Sequence, residues 1–254
     1  MKHDIFSLKG KTCVVTGGYQ GIGETVAAYI ADAGADIAIF DLSDASGVAE
    51  RIAEEYGVRA KAYVCDVTEP GEVKQCIGRA AEDFGSLELL FDNAGICLHK
   101  AALESDPSEW RKVIDVNLNG IYYVAQIFAK YLTDNNKQGN IVMTASMSAT
   151  IVNIPQKQAS YNASKAGVKH LAKSLAVEWA DKGVRVNSIS PGYIRTAITA
   201  LSDPEYQKSW IGQIPYRRMG TPEELAGAVI YLLSDASTYT SGTDIIIDGC
   251  FTSV

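Results

Sequence analysis

The feature that most constrains the fold of this chain is a regular alternation of short apolar segments with helical segments. Apolar runs bounded by turn residues and separated by helices of about 10–15 residues are typical of βαβ units and a parallel sheet. The predicted strands are residues 12–16, 35–40, 61–65, 87–91, 140–144, 184–188 and 244–248. The predicted helices are residues 22–33, 45–56, 69–84, 107–132 and 161–182, and a last one begins near Thr221. We therefore predict one doubly wound α/β domain over residues 1–254, with a mostly parallel seven-stranded sheet.

Composition and charge exclude several classes of protein. The 254 residues are 47% apolar and 21% charged, which are globular values that exclude a disordered or collagen-like chain. The 23 basic and 30 acidic residues give a net charge of −7, so we expect no binding to nucleic acid or to an anionic membrane. The sequence contains no run of about 18 apolar residues, so we expect no membrane-spanning helix.

The cysteines and histidines predict neither disulfides nor a metal site. The five cysteines are odd in number, widely spaced and without a Cys-x-x-Cys pair, which is typical of a reduced, cytoplasmic protein. The three histidines are scattered and form no His-Glu-x-x-His motif, so we expect no metal. The charged N-terminus lacks a long apolar stretch, so it does not resemble a signal peptide.

A glycine-rich turn joins the first predicted strand to the first predicted helix, with glycines at positions 17, 21 and 23. In such a turn Gly17 allows the tight bend, while Gly21 and Gly23 allow close approach of a pyrophosphate and of the helix to the strand. The phosphates would lie at the positive end of the helix. A glycine-rich turn alone also occurs in ordinary loops, but its position between a strand and a helix predicts a dinucleotide site.

Asp41 ends the second predicted strand, 20 residues after Gly21, where a ribose-binding carboxylate is expected. Its carboxylate would accept hydrogen bonds from the ribose hydroxyls and would repel a 2′-phosphate. None of residues 18–20, 42 and 43 is basic, so the sequence predicts NAD rather than NADP. The alternative is that Asp41 only caps the helix that follows it.

Tyr161 and Lys165 stand four residues apart in a predicted helix, so their side chains share one face. A neighbouring ammonium favours the phenolate, so we expect Lys165 to lower the pKa of Tyr161. A tyrosine with such a pKa suits proton transfer to and from an alcohol oxygen. Taken alone, the pair also occurs by chance on protein surfaces.

The chain resembles the short-chain dehydrogenase/reductase family over nearly its whole length. The motifs that carry the resemblance are the turn at 16–23, Asn93-Ala-Gly95, Asn117, Ser146, Tyr161-x-x-x-Lys165, and Pro191-Gly192 with Thr196. The resemblance implies a Rossmann-type oxidoreductase and a homotetramer. It also implies that Tyr161 is the general acid/base, that Ser146 polarises the substrate oxygen, and that Asn117 holds a water for the proton relay. Lys165 would bind the nicotinamide ribose.

Further cofactor contacts follow from the turn and from the resemblance. Asp66 would contact the adenine, and residues after the sixth strand would contact the nicotinamide end. The predicted cofactor-binding residues are Gly17, Gln20, Gly21, Ile22, Gly23, Asp41, Leu42, Asp66, Val67, Asn93, Ala94, Gly95, Tyr161, Lys165, Pro191, Gly192, Ile194 and Thr196.

The segment between the catalytic serine and tyrosine departs from the common family pattern. Tyr161 follows Ser146 by 15 residues, whereas the family more often has 13, a spacing that Ser148 would meet. Alignment of the preceding strand favours Ser146 as the catalytic residue. The longer loop resembles that of polyol dehydrogenases and sugar reductases of the galactitol, mannitol and sorbose type. Its neutral polar residues suit a substrate with several hydroxyls. The predicted substrate-binding residues are Ser146, Ser148, Asn153 and Tyr161, and the alternative is a polar loop in solvent.

The favoured function is therefore NAD-dependent interconversion of a polyol and a keto sugar. A ketoacyl or hydroxysteroid reductase on the same scaffold is the first alternative, and a dinucleotide-binding scaffold without catalysis is the second. Residues 193–220 are interpreted as an inserted lid over the substrate. His99 is assigned either to the mouth of the site or to the surface, and Trp210 either to the lid or to simple packing.

Overall fold

Seven strands form one sheet in the computed structural model, which describes residues 4–200 and 204–254. The strands are β1 (Thr12–Thr16), β2 (Asp36–Asp41), β3 (Ala60–Val64), β4 (Leu89–Asp92), β5 (Gly139–Thr144), β6 (Val184–Pro191) and β7 (Asp244–Ile247). Their order is β3-β2-β1-β4-β5-β6-β7. All six neighbouring pairs are parallel, so the predicted fold class is confirmed, and the sheet is wholly rather than mostly parallel.

Along the chain, helices alternate with the strands, as the sequence pattern predicts. They are α1 (Gly21–Asp32), α2 (Ser46–Tyr56), α3 (Pro70–Phe84), α4 (Pro107–Ile114), α5 (Ile121–Asp134), α6 (Ala159–Glu178), α7 (Ala197–Ala200), α8 (Pro204–Gln213) and α9 (Glu223–Leu233). Short 3₁₀ helices also lie between these elements or near the end of the chain, at Met147–Ala149, Ala180–Lys182, Asp235–Ser237 and Phe251–Ser253. In the described part of the chain, none of the helices has the length and apolar character that crossing a bilayer requires.

The helix predicted over residues 107–132 is divided by a wider turn. A π-helix at Asp115–Gly120 separates α4 from α5. Helix α4 begins at a capping box in which Asp106 accepts the Ser108 N–H and Glu109 accepts the Asp106 N–H. A π-helical turn changes which side chains face the sheet, and such turns are frequent at functional sites. Apolar spacing alone did not reveal it.

Two apolar cores cover the two faces of the sheet. Helices α1, α2 and α9 supply one core, together with strand residues such as Ile37 and Phe91. Helices α3, α5 and α6 supply the other, with residues such as Phe40 and Leu90. The chain order of the strands reverses direction between β1 and β4. In doubly wound folds, ligands bind beyond the carboxyl ends of the strands at this switch point.

A third, smaller apolar cluster lies outside the sheet, and most of its residues come from the segment between β6 and α9. It contains Met147, Tyr193, Trp210, Ile214 and Met219. Trp210 and Ile214 come from α8 and the residue that follows it, so this cluster joins the 193–220 segment to the loop after β5. Residues 193–200 and 204–220 therefore pack against the carboxyl end of the sheet, and residues 201–203 of the predicted lid lie outside the described part of the chain.

Candidate active site

A cleft of about 850 Å³ lies at the carboxyl ends of the strands, where the switch-point rule places a ligand. It extends from Asp41, at the end of β2, to Trp210 in α8. Most of the predicted site residues line it: Gly17, Gln20, Gly21, Ile22, Asp41, Leu42, Asp66, Val67, Asn93, Ala94, Gly95, Ser146, Ser148, Asn153, Tyr161, Lys165, Pro191, Gly192, Ile194 and Thr196. Residues far apart in sequence thus meet along one surface.

The glycine-rich turn is built so closely that only glycine fits at its centre. A Cβ at Gly23 would lie 2.0 Å from the Gly17 carbonyl oxygen, which is impossible without moving α1 away from β1. Gly17 itself has a φ of +66°, in the left-handed region that glycine adopts without strain. No side chain caps the start of α1, so its first N–H groups remain available to an anion. The turn therefore fits a pyrophosphate.

Asp41 is held in place by two backbone donors. The Tyr19 N–H donates to its Oδ2 over 3.0 Å, and the Ser43 N–H donates to its Oδ1 over 2.9 Å. The first contact joins the glycine-rich turn to the end of β2. Asp41 is neither a helix cap for α2, whose N-cap is Ala45, nor paired with a cation among the described residues. Its carboxylate faces the cleft with acceptor capacity left for a ribose.

The buried hydroxyl of Thr16, under the cleft, fixes the segment after β4. The Thr16 Oγ1 donates to Asp92 Oδ1 over 2.8 Å and accepts the N–H groups of Asn93 and Ala94 over 2.9 and 3.0 Å. Asp92 is fully buried, and its Oδ2 has no hydrogen-bond partner among the described residues. Burial raises the pKa of Asp92 to about 8, with the Thr16 bond and the Lys165 charge acting in the opposite direction.

Tyr161 and Lys165 lie in the first two turns of α6, as the sequence predicts, but Lys165 does not lower the pKa of the tyrosine. The Lys165 Nζ donates to the Thr144 carbonyl over 2.7 Å and lies 5.8 Å from the centre of the Tyr161 ring. Burial raises the pKa of Tyr161 above its usual value, opposed by a hydrogen bond with Ser146. Burial also lowers the pKa of Lys165 to about 8. The expected lowering is therefore wrong for this structure, because burial dominates the pKa of Tyr161 and the Lys165 ammonium is directed at the sheet.

Ser146 lies beside the tyrosine, and Ser148 does not. Ser146 and Tyr161 both line the cleft, and Ser146 lies near enough to the phenol to oppose the rise in its pKa, so both hydroxyls could contact one substrate oxygen. Ser148 instead donates through its Oγ to Asn153 Oδ1 over 2.6 Å, while its N–H donates to Ser146 Oγ over 3.1 Å. The geometry thus favours Ser146, over the alternative Ser148, as the serine that polarises the substrate.

Two of the predicted residues stand behind the wall of the cleft. Gly23 packs against Gly17, as the turn requires. Asn117 lies in the π-helix, fully buried, and its amide exchanges two 2.8 Å hydrogen bonds with the backbone of Ile96. Its Nδ2 also donates to Ser164 Oγ over 3.1 Å. The Asn117 side chain therefore fixes the loop after Gly95, and its part in a proton relay stays a prediction.

The neutral polar side chains of the loop between Ser146 and Tyr161 are buried, although Val152 and Ile154 of the same loop are exposed, which contradicts the alternative of polar residues that face solvent. Ser148, Asn153, Gln156 and Gln158 are each at most 6% exposed and line the cleft. Trp210 is also buried, and its indole Nε1 donates to Gln156 Oε1 over 2.9 Å. Four neutral polar side chains thus converge near Ser146 and Tyr161.

The two residues with open assignments both border the cleft. His99 lines it and its ring packs edge-on against Tyr206 and Trp210 at centroid distances of 6.2 and 6.5 Å. Burial lowers the pKa of His99, opposed by a hydrogen bond with Gln158. Trp210 stacks on Tyr193 with centroids 4.5 Å apart. Both residues therefore belong to the substrate end of the cleft, and Trp210 combines packing with a polar contact.

A family model described as enoyl-(acyl carrier protein) reductase matches residues 17–252, which is most of the chain. The chain belongs to the short-chain dehydrogenase/reductase family. As a family member it is an oxidoreductase that uses a nicotinamide dinucleotide, and the glycine-rich turn, Asp41 and Lys165 provide the surface that would hold this cofactor.

Curated relatives of this short-chain dehydrogenase/reductase cover almost all of it. Sorbose reductase of Candida albicans is 51% identical over 98% of this chain and 89% of that protein. NADP-dependent mannitol dehydrogenase of Hypocrea jecorina is 43% identical over 98% of this chain and 95% of that protein. A crystal structure of a short-chain type dehydrogenase/reductase from Mycobacterium marinum is 42% identical, with a TM-score of 0.93, covering 99% of this chain and 98% of that one.

Sequence reasoning missed two residues of this site. Tyr193 lines the cleft and hydrogen-bonds to the substrate loop, and its only signal was an aromatic residue directly after Pro191-Gly192. Asp92 is buried beneath the cofactor surface, and its signal was a carboxylate inside an apolar strand. Among residues 4–200 and 204–254, no cluster of three or more His, Cys, Asp or Glu side chains is arranged for a metal ion.

Proposed function

We propose that this enzyme is an NAD-dependent oxidoreductase that interconverts a secondary alcohol of a polyol and the corresponding keto sugar. The observation that carries the proposal is the convergence of Ser148, Asn153, Gln156 and Gln158, all buried and neutral, on the cleft beside Ser146 and Tyr161. Such groups satisfy the hydroxyls of a polyhydroxylated chain, which are costly to bury unpaired. The names of the two curated relatives support the same class of substrate.

The proton chemistry rests on Tyr161 and Ser146. A nicotinamide dinucleotide bound in the cleft supplies the hydride in reduction and accepts it in oxidation. Because burial keeps Tyr161 a neutral phenol, it is an acid that donates its proton to the carbonyl oxygen as the alcohol forms. In oxidation the phenolate form of Tyr161 takes the alcohol proton, so the phenol must first release its own proton to solvent. Ser146 donates a hydrogen bond to the same oxygen and so stabilises the negative charge that develops on it.

Lys165 has a positioning and electrostatic part in the proposed reaction. Its ammonium is fixed to the Thr144 carbonyl at the end of β5, and it lies near enough to Gly95 that a Cβ there would be 3.4 Å from Nζ. It therefore borders both the cofactor wall and the tyrosine. An ammonium at this place can donate hydrogen bonds to the ribose hydroxyls of the cofactor.

We propose NAD as the cofactor on the strength of Asp41. Its carboxylate is fixed by the N–H groups of Tyr19 and Ser43, so it cannot turn away from a 2′-phosphate without losing both bonds. The cations among the described residues of the cleft wall are Lys112 and Lys165, and Lys165 is committed to Thr144. The mannitol dehydrogenase relative is named as NADP-dependent. This chain would therefore differ from that relative in how it binds the adenosine ribose of the cofactor.

The two alternative functions have less support. A hydroxysteroid reductase needs an apolar substrate pocket, whereas the substrate end here carries four buried polar side chains. A ketoacyl reductase docks an acidic carrier protein, which a net charge of −7 disfavours. A scaffold without catalysis would not need Ser146, Tyr161 and Lys165 to be brought together at one end of the cleft.

We also propose that residues 193–220 act as the lid over the substrate and that the enzyme is a cytoplasmic homotetramer. The lid assignment is supported by Tyr206 and Trp210, which form part of the cleft wall. The five cysteines are free, in keeping with a reducing compartment. Val177 on α6 is 81% exposed, in keeping with a helix that packs against another subunit.

The test is a panel of polyols and ketoses assayed with NAD(H) and NADP(H), followed at the nicotinamide absorbance. We expect the highest kcat/KM for a polyol and keto sugar pair of about four to six carbons. A simple secondary alcohol, a hydroxysteroid and a β-ketoacyl thioester serve as comparison substrates. Higher kcat/KM for the steroid or the thioester would overturn the substrate assignment and leave the family assignment standing.

A further inference from the structure

A chain of neutral hydrogen bonds runs through the substrate end of the cleft. It starts at Ser146, whose Oγ accepts the Ser148 N–H, and continues from Ser148 Oγ to Asn153 Oδ1. Asn153 Nδ2 then donates to the Tyr193 hydroxyl oxygen over 3.2 Å. Because each side chain is buried and bonded to its neighbours, these neighbours determine which of its atoms donate and which accept. This pattern of donors and acceptors decides which atoms remain for a substrate.

Trp210 fixes one end of this chain. An indole N–H is a donor and never an acceptor, so the group facing it in Gln156 must be the carbonyl oxygen. The observed bond from Trp210 Nε1 to Gln156 Oε1 is 2.9 Å. The other end of the amide, Nε2, therefore faces Tyr193 and donates to its hydroxyl oxygen over 3.0 Å.

The Tyr193 hydroxyl consequently accepts two hydrogen bonds, one from Gln156 and one from Asn153. A phenol oxygen that accepts two bonds still carries its own proton as a donor. No acceptor for that proton is found among the described residues, although Tyr193 is only 9% exposed. A buried donor without a partner is costly, so an oxygen supplied by a ligand would satisfy it.

The position of the Tyr193 hydroxyl oxygen is well determined. The Tyr193 ring is stacked on Trp210 with an interplanar angle of 11°, and it meets the edge of Phe251 at 82° and 5.5 Å between centroids. Packing on two sides holds the ring, and the two amides hold the oxygen. Since Tyr193 lines the cleft with Ser146 and Tyr161, the remaining donor belongs to the substrate site.

We propose that Tyr193 is a substrate-binding residue whose hydroxyl donates a hydrogen bond to an oxygen of the substrate beyond the reacting carbon. Gln156 and Trp210 are positioning residues that keep this hydroxyl a donor toward the cleft. The inference rests on the proposed polyol function and narrows it. The enzyme selects a chain with a second hydroxyl oxygen at a fixed distance from the reacting carbon, and it does so without a cation.

The first experiment is Tyr193→Phe, which keeps the stacked ring and removes only the hydroxyl. The kcat/KM is measured for the best polyol and for a simple secondary alcohol without further hydroxyls. We expect a loss of about tenfold for the polyol, the effect of one hydrogen bond, and less than about twofold for the simple alcohol. Tyr231→Phe is the matched control, since Tyr231 also has a bonded hydroxyl, to Thr240 over 2.9 Å, but lies outside the cleft wall. It should change neither value.

The second experiment is Gln156→Glu, which replaces the donor facing Tyr193 by an acceptor of the same shape. The Tyr193 proton should then turn inward to the carboxylate, so the variant should lose polyol preference as Tyr193→Phe does. The ratio of polyol to simple-alcohol kcat/KM is the readout, because a merely structural defect would lower both values together. Thermal unfolding of each variant shows whether it is folded.

The outcomes separate this inference from the proposed function. A parent enzyme without any preference for polyols overturns both. In a polyol-preferring parent, equal losses for the two substrates in Tyr193→Phe mean that the hydroxyl only supports the loop, and the inference fails alone. An unchanged ratio in a folded Gln156→Glu variant overturns the positioning part.

Discussion

The Lys165 ammonium is bonded to the Thr144 carbonyl over 2.7 Å and stands 5.8 Å from the ring centre of Tyr161. The lysine of the catalytic pair is thus anchored to the sheet and is not itself a partner of the phenol. Ser146 is the residue that lies beside the phenol instead. We propose that Tyr161 acts as a neutral proton donor next to Ser146, and the activities of the variants described below test this role.

Tyr161→Phe should abolish nearly all turnover while leaving the fold and dinucleotide binding intact. Phenylalanine keeps the ring and removes the proton carrier, whose loss costs at least about 10²–10⁴-fold in rate. The measurements are kcat with the best polyol and the Kd for the dinucleotide by fluorescence titration. A kcat near that of the parent would contradict the assignment of Tyr161 as the acid/base.

Asp41 should set the choice between NAD and NADP. Asp41→Ala removes the ribose acceptor and the charge, so kcat/KM with NAD should fall about 10–100-fold, the effect of hydrogen bonds to a charged group. Asp41→Asn keeps the shape and should mainly relieve the repulsion of a 2′-phosphate. Asp44→Ala is the control, because it removes the same charge from an exposed residue whose contacts are with Ser46. A parent enzyme that prefers NADP would show that the end of β2 does not act as proposed.

Ser148 and Asn153 should matter more for polyols than for simple alcohols. Ser148→Ala should lower the polyol kcat/KM by about two- to tenfold, the effect of one neutral hydrogen bond. Asn153→Ala should lower it further and also lower Tm, since Asn153 Oδ1 accepts bonds from both Ser148 and Gln158. Ser174→Ala, on the exposed side of α6, is the control. If both substrates lose equally, the two residues serve only to build the loop.

Asp92 should make stability depend on pH. Its folded pKa is raised to about 8, against about 3.9 in an unfolded chain. The folded state keeps the carboxyl protonated while the unfolded state ionises, so this contribution to stability is complete below about pH 4 and is lost as pH rises toward 8. Asp92→Asn cannot ionise and keeps an acceptor for Thr16.

The measurement for Asp92 is the Tm of the parent and of Asp92→Asn between pH 5 and pH 8. We expect the Tm of the variant, relative to that of the parent, to be higher at pH 8 than at pH 5 by at least about 3 °C. The absolute difference at one pH is less informative, because an amide at this place also brings unpaired donors. A difference that is the same at every pH would mean that Asp92 is already ionised in the folded protein.

The amino-acid sequence determined the fold and the chemical groups of the site. Apolar segments of strand length between helices specify a parallel sheet, because both faces of such strands must be covered. The sheet order then brings Gly17, Asn93, Ser146 and Tyr161 to one edge, since parallel strands end on the same side. Local spacing predicted the glycine-rich turn and the Tyr161–Lys165 pair, whereas Asn93 and Ser146 were predicted from the family resemblance.

Only the tertiary structure decided the electrostatics and the direction of the hydrogen bonds. The raised pKa of Tyr161 and of Asp92 follows from burial by several elements, which residue spacing does not specify. The donor role of Tyr193 likewise depends on Trp210, a residue of another helix, fixing the orientation of the Gln156 amide. Spacing along a chain reveals which side chains are near one another in a helix, whereas desolvation and donor direction depend on every neighbour in three dimensions.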